Sequence, residues 1–229
     1  MFLKFLLRYI DGMKIYENWA RKQAVSLDQF CESLDSKIWK ETLDFQNKFT
    51  EYGTKIIASC DVKLGGGGCF PFLYFICRLR RPLTVVETGV AAGWSSAAIL
   101  TSLQINGSGK LYSTDLPYKN RPGADQAIGL LVDDKLKAEW HLDISGDRAG
   151  LPKISKVIDN IDVFHFDSDK SYQGRKFGYE TVKNNLANDA IIIFDDIQDN
   201  FHFKELVEDN NLSYKIFEFQ KKFFGVIFC

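Results

Sequence analysis

The sequence of 229 residues lacks the basic excess that nucleic-acid-binding proteins use to attract phosphates. Lysine and arginine number 29 against 30 aspartate and glutamate residues, and no long run of one sign occurs. Nucleic acid is therefore not an expected partner. Internal repeats and low-complexity segments are also missing. The chain is long enough to bury a sizeable core, which its 45% of hydrophobic residues can fill.

Cysteine is present without the pattern that a disulfide framework or a zinc site needs. The residues are odd in number, five in all, and no CxxC pair occurs. Buried thiols in a reducing compartment are the simpler interpretation, which predicts a cytoplasmic protein. The cysteines are Cys31, Cys60, Cys69, Cys77 and Cys229.

The apolar N-terminus, residues 1–13, does not have the features of a targeting or membrane-spanning segment. Lys4, Arg8 and Asp11 interrupt or end the apolar run, and no small-residue cleavage site follows. The segment is also too short to cross a bilayer, so no membrane partner is predicted. We expect an amphipathic helix that docks on the domain or on a partner subunit. Residues 1–63 as a whole predict a helical extension, whose helices are a candidate homodimer surface.

From Thr84 onward, short β-rich segments alternate with helix-length segments. This alternation predicts an α/β fold with a doubly wound, mostly parallel, seven-stranded sheet. The last two segments are joined by residues 220–222 alone, and so short a link predicts an antiparallel C-terminal hairpin. The segments are TVVET (84–88), KLYSTD (110–115), WHLDI (140–144), DVFHFD (162–167), AIIIFD (190–195), YKIFEF (214–219) and FFGVIF (223–228).

Four of the five predicted parallel strands end in an acid, namely Glu87, Asp115, Asp167 and Asp195. The carboxyl ends of parallel strands line the ligand crevice of open α/β sheets. One acid at a strand end is usually a helix cap, but four at one edge are hard to attribute to capping alone. The sequence therefore predicts a ligand site there. The segment LGGGG (64–68) is either a flexible hinge or a loop where backbone approaches a ligand.

The stretch VVETGVAAGWSS (85–96) looks like the strand, turn and helix start of a nucleotide-binding site, but it does not have the usual glycine spacing. Its glycines are Gly89 and Gly93, and Glu87 precedes the first by two residues. This is not the GxGxxG pattern that lays a pyrophosphate on a helix N-terminus, and a carboxylate would repel a phosphate. The same carboxylate would attract a cation. S-adenosylmethionine, with an ammonium, a sulfonium and no phosphate, fits this site.

The pattern E-x-G-x-x-x-G after an apolar strand resembles the first motif of class I S-adenosylmethionine-dependent methyltransferases. The resemblance covers residues 64–229 and implies a Rossmann-like domain there. In that family the motif acid faces the amino end of the cofactor, and the second-strand acid binds the ribose hydroxyls. Ala91 stands where a further glycine is common. The segment SGDRAGLP (145–152) resembles the adenine side. The implied cofactor-binding residues are Glu87, Gly89, Gly93, Ser95, Asp115, Gly146 and Asp147.

Three further acids are expected to meet at two neighbouring strand tips. Asp167 ends the fourth predicted strand, and Asp195 and Asp196 end the fifth. Three carboxylates do not share a site unless a cation neutralises them. Carboxylate oxygens favour Mg²⁺, or else Mn²⁺ or Ca²⁺. The alternative is that Asp195 or Asp196 only caps the next helix.

The segment FDSDKSYQG (166–174) resembles the cation-dependent O-methyltransferases, both the catechol and caffeoyl-coenzyme A type and the bacterial sugar-tailoring type. Asp167, Asp169 and Lys170 match the D-x-D-K-like stretch of the first type, which implies a metal ligand followed by a lysine base. SYQG matches the tail of a DGDHSYEG-like segment in the second type, with Lys170 in place of the histidine. The candidate catalytic residues are Asp167, Lys170 and, as a reserve base, His202. Lys170 as a partner of Asp169 and His202 as a structural residue remain alternatives.

The sequence thus predicts methyl transfer from S-adenosylmethionine to a hydroxyl of a small molecule such as a phenol or a sugar, assisted by a divalent cation. N-methylation of bases or amides is disfavoured, because DSDK stands where the N-methyltransferases have a proline-rich tetrapeptide. One alternative is an inactive methyltransferase fold used as a binding module, which a fold alone does not exclude. Another is a different nucleotide-binding protein, against which the missing GxGxxG pattern argues.

Overall fold

A computed structural model of the chain describes residues 14–60, 62, 64–117 and 123–229. The amphipathic helix predicted for residues 1–13 lies outside the described residues. Helix α1 covers the described residues 14–23, and α2 runs from Leu27 to Ala58. Among the helices that the structure describes, none combines the length and the apolarity that crossing a membrane requires.

Helix α2 begins at the cap predicted from the sequence and is broken once. The hydroxyl of Ser26 accepts a hydrogen bond from the N–H of Gln29 at 3.3 Å. Asp35 leaves helical geometry, with φ −160° and ψ 101°. Its carboxylate then accepts hydrogen bonds from the N–H groups of Lys37 and Ile38, which starts a second helical segment.

One sheet of eight strands forms the centre of the fold, in the order β1-β7-β8-β6-β5-β2-β3-β4. Strand β8 is antiparallel to β6 and β7, and the other pairs are parallel. The predicted fold class and hairpin are confirmed. The sheet has one strand more than the seven predicted. The additional strand, β1, has only two residues, too few to show any periodicity. The strands are β1 Ala24–Val25, β2 Thr84–Thr88, β3 Lys110–Thr114, β4 Trp140–Asp143, β5 Ile161–Phe166, β6 Leu186–Phe194, β7 Ser213–Phe219 and β8 Lys222–Phe228.

Helices cover both faces of the sheet because successive strand residues point to opposite sides. Val85 packs in the core shared with α2, α3 and α4, whereas Val86 packs in the core shared with α5, α6 and α7. The predicted domain boundary at residue 64 stays a prediction. The remaining helices are α3 Phe70–Arg80, α4 Trp94–Asn106, α5 Asp147–Val157, α6 Tyr172–Val182 and α7 His202–Asp209.

The strand order reverses between β2 and β5, and this reversal fixes where a ligand can bind. The chain leaves β2 towards β3 and β4 on one side, then returns to β5 on the other. A crevice opens beyond the carboxyl ends of the strands at such a switch point. The loop after β2 and the residues after β5 are therefore the expected walls of a site.

Candidate active site

A cavity of about 740 Å³ lies at the carboxyl ends of the central strands. Its size is in the range of small-molecule and cofactor pockets. The loop after β2 and the residues that follow β3, β4, β5 and β6 contribute to its wall. The glycine loop (Leu64–Gly68) and the end of the β7–β8 hairpin complete it. Residues of these two outer segments are Leu64, Gly65, Gly66, Gly67, Gly68, Phe219, Gln220 and Lys222.

The loop between β2 and α4 needs its glycines. Gly89 and Gly93 have φ of 82° and 91°, in the left-handed region. A Cβ on Gly89 would lie 2.5 Å from the backbone oxygen of Asp167, and one on Gly93 would lie 2.9 Å from the Cα of Gly129. Ala91 adopts φ 46° without being glycine, which strains the loop slightly. The loop therefore packs directly against the strand tip that carries Asp167.

Asp115 holds this loop in place from the end of β3. Its carboxylate accepts hydrogen bonds from the N–H groups of Val90 at 3.1 Å and Ala91 at 2.7 Å, and from that of Leu116 at 2.6 Å. Burial raises the pKa of Asp115, and these N–H groups oppose that rise. Asp115 lines the cavity, as do Gly89 and Ser95.

Glu87 is placed differently from the prediction that it faces the amino group of the cofactor. It is fully buried inside β2, between β3 and β5, and is not part of the described cavity wall. Its carboxylate accepts hydrogen bonds from the hydroxyls of Ser96 at 2.5 Å and Ser113 at 2.9 Å. The other oxygen lies 3.5 Å from Nδ1 of His165, a core histidine. Glu87 therefore ties β2 to α4 and β3.

The predicted adenine side also lies on the cavity. Gly146 has φ 82° and precedes α5, and Asp147 begins that helix. One oxygen of Asp147 accepts a hydrogen bond from the hydroxyl of Thr114 at 2.7 Å, and the other accepts one from Ser168. Asp147 thus joins the tips of β3 and β5. Of the predicted cofactor residues, Gly89, Ser95, Asp115, Gly146 and Asp147 line the cavity, whereas Glu87 and Gly93 are not in its described wall.

The three predicted metal ligands come together. Carboxylate oxygens of Asp167, Asp195 and Asp196 all lie within 4.8 Å of one another, and we call these residues the acid cluster. Strand register brings them there, since the N–H of Asp167 donates to the backbone oxygen of Thr88 and that of Asp195 donates to Phe166. Asp195 and Asp196 are buried, with 5% and 3% exposure.

The acid cluster carries unusual pKa values. Burial, and next to it the charge of Asp167, raises the pKa of Asp195 to about 7. Burial also opposes ionisation of Asp196, but Lys170 and Lys222 outweigh it and lower the pKa of that carboxyl. Such divergent pKa values in adjacent carboxyls are typical of functional sites.

Lys170 is the counter-ion of the acid cluster rather than a free base. Its Nζ lies 2.6 Å from Oδ1 of Asp167 and also contacts Asp196. Burial disfavours the charged amine, but the surrounding carboxylates prevail and raise the pKa of Lys170 above its ordinary value. An ammonium cannot accept a proton, so the geometry does not favour the predicted base role. The alternative that Lys170 pairs with Asp169 is not observed either, since its described ion-pair partners are Asp167 and Asp196.

His202, the reserve base, is a core residue. It begins α7, is 5% exposed, and packs against the rings of Tyr172 and Phe194 at centroid distances of 5.5 and 5.6 Å. Burial, followed by the charge of Arg175, lowers its pKa to about 4. His202 is not in the described cavity wall, because the first turn of α7 faces the core instead. Its structural alternative therefore fits the geometry.

Two basic residues near the acid cluster were not anticipated. Arg175, in α6, is 1% exposed and donates to the backbone oxygens of Asp195 and Asp196, both at 2.8 Å. Lys222, in the hairpin, lies 2.9 Å from Asp196. Nothing in the sequence separates Arg175 from the adjacent Lys176, since only the turn of the helix decides which one is buried.

Residues 86–197 match a family model described as a methyltransferase domain. The chain contains a methyltransferase domain. Together with the fold, this match confirms the resemblance to class I methyltransferases that the sequence indicates. No curated protein matches the sequence.

Solved structures share the fold of this methyltransferase domain at low sequence identity. A methyltransferase from Geobacter sulfurreducens is 17% identical, with a TM-score of 0.60 over 79% of this chain and 87% of that one. An O-methyltransferase from Bacillus cereus in complex with SAH is 15% identical, with a TM-score of 0.58 over 92% and 100%. An SAH-bound methyltransferase from Podospora anserina is 13% identical, with a TM-score of 0.54 over 92% of each chain.

Proposed function

We propose that this chain transfers the methyl group of S-adenosylmethionine to a hydroxyl oxygen of a small molecule, and that the acid cluster holds a divalent cation for this reaction. The observation that carries the proposal is the convergence of three carboxylates, two of which, Asp167 and Asp195, line the same cavity as the loop after β2. A homodimer through the N-terminal helices and a cytoplasmic location remain predictions of the sequence.

The donor set of the acid cluster fits a hard divalent cation. It offers carboxylate oxygens, the ligands that Mg²⁺ prefers. Oδ1 of Asp167 pairs with Nζ of Lys170 at 2.6 Å and has no other partner among the described residues. A Cβ on Gly68 would lie 2.6 Å from Oδ2 of Asp195 and 3.3 Å from Oδ2 of Asp167. Because Gly68 has no side chain, space remains beside the carboxylates. This fits the interpretation of LGGGG (64–68) as a loop where backbone approaches a ligand. A cation held there would lower the pKa of an acceptor hydroxyl.

The residues of the chain supply positioning and charge. The loop after β2 and Asp115 form the wall where the cofactor is expected, and Lys222 of the hairpin contacts the acid cluster at Asp196. Holding two reactants in line contributes much of the rate of such a transfer. Lys170, as an ammonium, stabilises the negative charge that develops on an acceptor oxygen. An inactive binding module would leave this buried carboxylate cluster without a use, although burying charge is costly.

Replacing Asp195 by asparagine is expected to weaken binding of Mg²⁺ or Mn²⁺ by about tenfold or more, because it removes an anionic ligand. The melting temperature should not fall, because the substitution removes a buried carboxyl whose charge is disfavoured. Calorimetric titration with each metal measures the first effect, and thermal unfolding the second. Asp199→Asn is the control, since Asp199 is half-buried nearby but outside the acid cluster. Wild-type protein that binds neither metal would contradict the cation part of the proposal.

Replacing Asp115 by asparagine is expected to raise the dissociation constant of S-adenosylmethionine by roughly 10–100-fold, the range for loss of a charge-assisted acceptor. The change also weakens the bonds to Val90 and Ala91 that shape the loop. The control is Asp162→Asn, since Asp162 likewise accepts two backbone N–H bonds, at 2.7 and 2.8 Å, but lies away from the cavity. Equal affinity in the two variants would place the cofactor elsewhere.

A further inference from the structure

Three basic side chains meet the acid cluster, and they are held in different ways. Arg175 is buried and bonded to backbone oxygens, so it is part of the scaffold. Lys170 bridges Asp167 and Asp196 with a side chain that is 30% exposed. Lys222 pairs, among the described residues, with Asp196 alone, and its side chain is 60% exposed. Lys222 is therefore the exchangeable cation of the three.

The position of Lys222 directs it to the cavity. It is the first residue of β8, after a tight turn in which Gln220 and Lys221 adopt φ of 50° and 66°. Phe219, Gln220 and Lys222 line the cavity, whereas Lys221 is exposed and outside the described wall. The ring of Phe219 packs edge-on against Phe70 at a centroid distance of 6.4 Å. The hairpin end thus presents an aromatic ring, an amide and an ammonium to a ligand.

Lys222 can leave Asp196 at a small cost in free energy. The oxygen of Asp196 that Lys222 contacts is also the one that Lys170 contacts, so Asp196 stays paired when Lys222 leaves. The Lys222 side chain is 60% exposed, so water can replace Asp196 as its partner, whereas the buried Asp196 keeps Lys170. A charge-assisted hydrogen bond to an anion inside the cavity is stronger, because less solvent competes for it.

We propose that Lys222 exchanges Asp196 for an anionic group of the acceptor, and that the acceptor is a small hydroxylated carboxylate with an aromatic or apolar body. This inference rests on the proposed function and names its substrate class. Three carboxylates against the two lysines and Arg175 leave no net charge at the cluster, and a divalent cation would add two positive charges. An anionic acceptor would offset part of this excess. Trp94 and Phe219, both in the cavity wall, provide surface for the body of such a molecule.

A pair of acceptors that differ only in charge tests the proposal, namely 3,4-dihydroxybenzoate and its methyl ester. Calorimetric titrations use the full chain with S-adenosylhomocysteine (SAH) and Mg²⁺. They compare the wild type, Lys222→Gln and the control Lys221→Gln. We expect the wild type and Lys221→Gln to bind the benzoate about tenfold more tightly than the ester, the value of one charge-assisted bond. The ratio of the dissociation constant of the ester to that of the benzoate should fall to about one in Lys222→Gln. It should recover in Lys222→Arg, which keeps the charge.

Each result separates the inference from the proposed function. A ratio that Lys222→Gln leaves unchanged, or that Lys221→Gln lowers equally, would overturn the role of Lys222. Absence of benzoate binding by the wild type would overturn the acceptor class. Methyl transfer is measured separately on the same proteins by conversion of S-adenosylmethionine to its demethylated product. Lys222-dependent binding without transfer to either acceptor would support the anion site and count against the proposed function.

Discussion

Replacing Gly89 by alanine is expected to lower the affinity for S-adenosylmethionine at least about tenfold and to cost about 2–4 kcal/mol of stability, as strain and backbone overlap add. The new Cβ would lie 2.5 Å from the backbone oxygen of Asp167 and 2.8 Å from its carbonyl carbon, at a φ of 82°. Backbone cannot rotate away as a flexible side chain can. The loop after β2 or the tip of β5 must therefore move, and both border the cavity.

Gly107→Ala is the matched control for this change. Gly107 has φ 75° at the end of α4, and no described neighbouring atom lies within 4 Å of a Cβ built there. The control therefore carries the left-handed strain, about 1 kcal/mol, without the overlap. Urea denaturation gives the free energy of unfolding, and calorimetric titration gives the affinity for the cofactor. If Gly89→Ala behaves like Gly107→Ala in both measurements, the loop does not depend on its contact with Asp167.

The acid cluster shows what strand patterns can predict about a site. Apolar segments that end in Asp167 and Asp195 mark the carboxyl tips of two parallel strands, and alternation with helices makes these strands neighbours. Register then brings the residues after β5 and β6 together. All of this follows from local patterns and from the few topologies that connect such strands.

Glu87 shows where such reasoning stops. Strand β2 continues for one residue beyond it, to Thr88, so Glu87 lies within the sheet rather than at its tip. Its side chain points to the face covered by α4, where Ser96 and Ser113 donate hydrogen bonds to one of its oxygens. The predicted segment 84–88 coincides with β2, so the end of the strand is not the difficulty. The sequence does not show that hydroxyls of α4 and β3, rather than a ligand, meet this acid.

The charge state of Lys170 and the burial of His202 depend on neighbours that are distant in the sequence. Lys170 is held protonated by Asp196, 26 positions away, as well as by the nearby Asp167. His202 is kept neutral by burial against Phe194 and by the charge of Arg175. A residue type suited to acid–base chemistry therefore predicts a candidate, but its pKa is set by the folded environment.

Arg175 fixes the backbone of the acid cluster, and this geometry predicts a large loss when it is replaced by methionine. Its guanidinium joins the backbone oxygens of Asp195 and Asp196, and Nε also donates to the oxygen of Lys170 at 3.4 Å. Asp196 is held with φ 52°, in the left-handed region. Burial lowers the pKa of Arg175, while the carboxylates of Asp199, Asp196 and Asp195 counteract that effect.

We expect Arg175→Met to cost about 3–5 kcal/mol of stability, because two buried carbonyl groups lose their donors and the acid cluster loses a buried positive charge. Lys176→Met is the control, since Lys176 is the exposed neighbour in the same helix. Urea denaturation measures the free energy of unfolding of both variants.

Arg175→Lys distinguishes a role in the acid cluster from a role in packing alone. Lysine keeps the charge but cannot donate to both backbone oxygens from a planar fork. This variant should fold and should bind Mg²⁺ about tenfold more weakly than the wild type, the usual size of an effect from a group that orients metal ligands. Calorimetric titration with Mg²⁺ is the measurement. Unchanged Mg²⁺ affinity in Arg175→Lys, together with a stability loss in Arg175→Met no larger than in Lys176→Met, would show that Arg175 does not position the acid cluster.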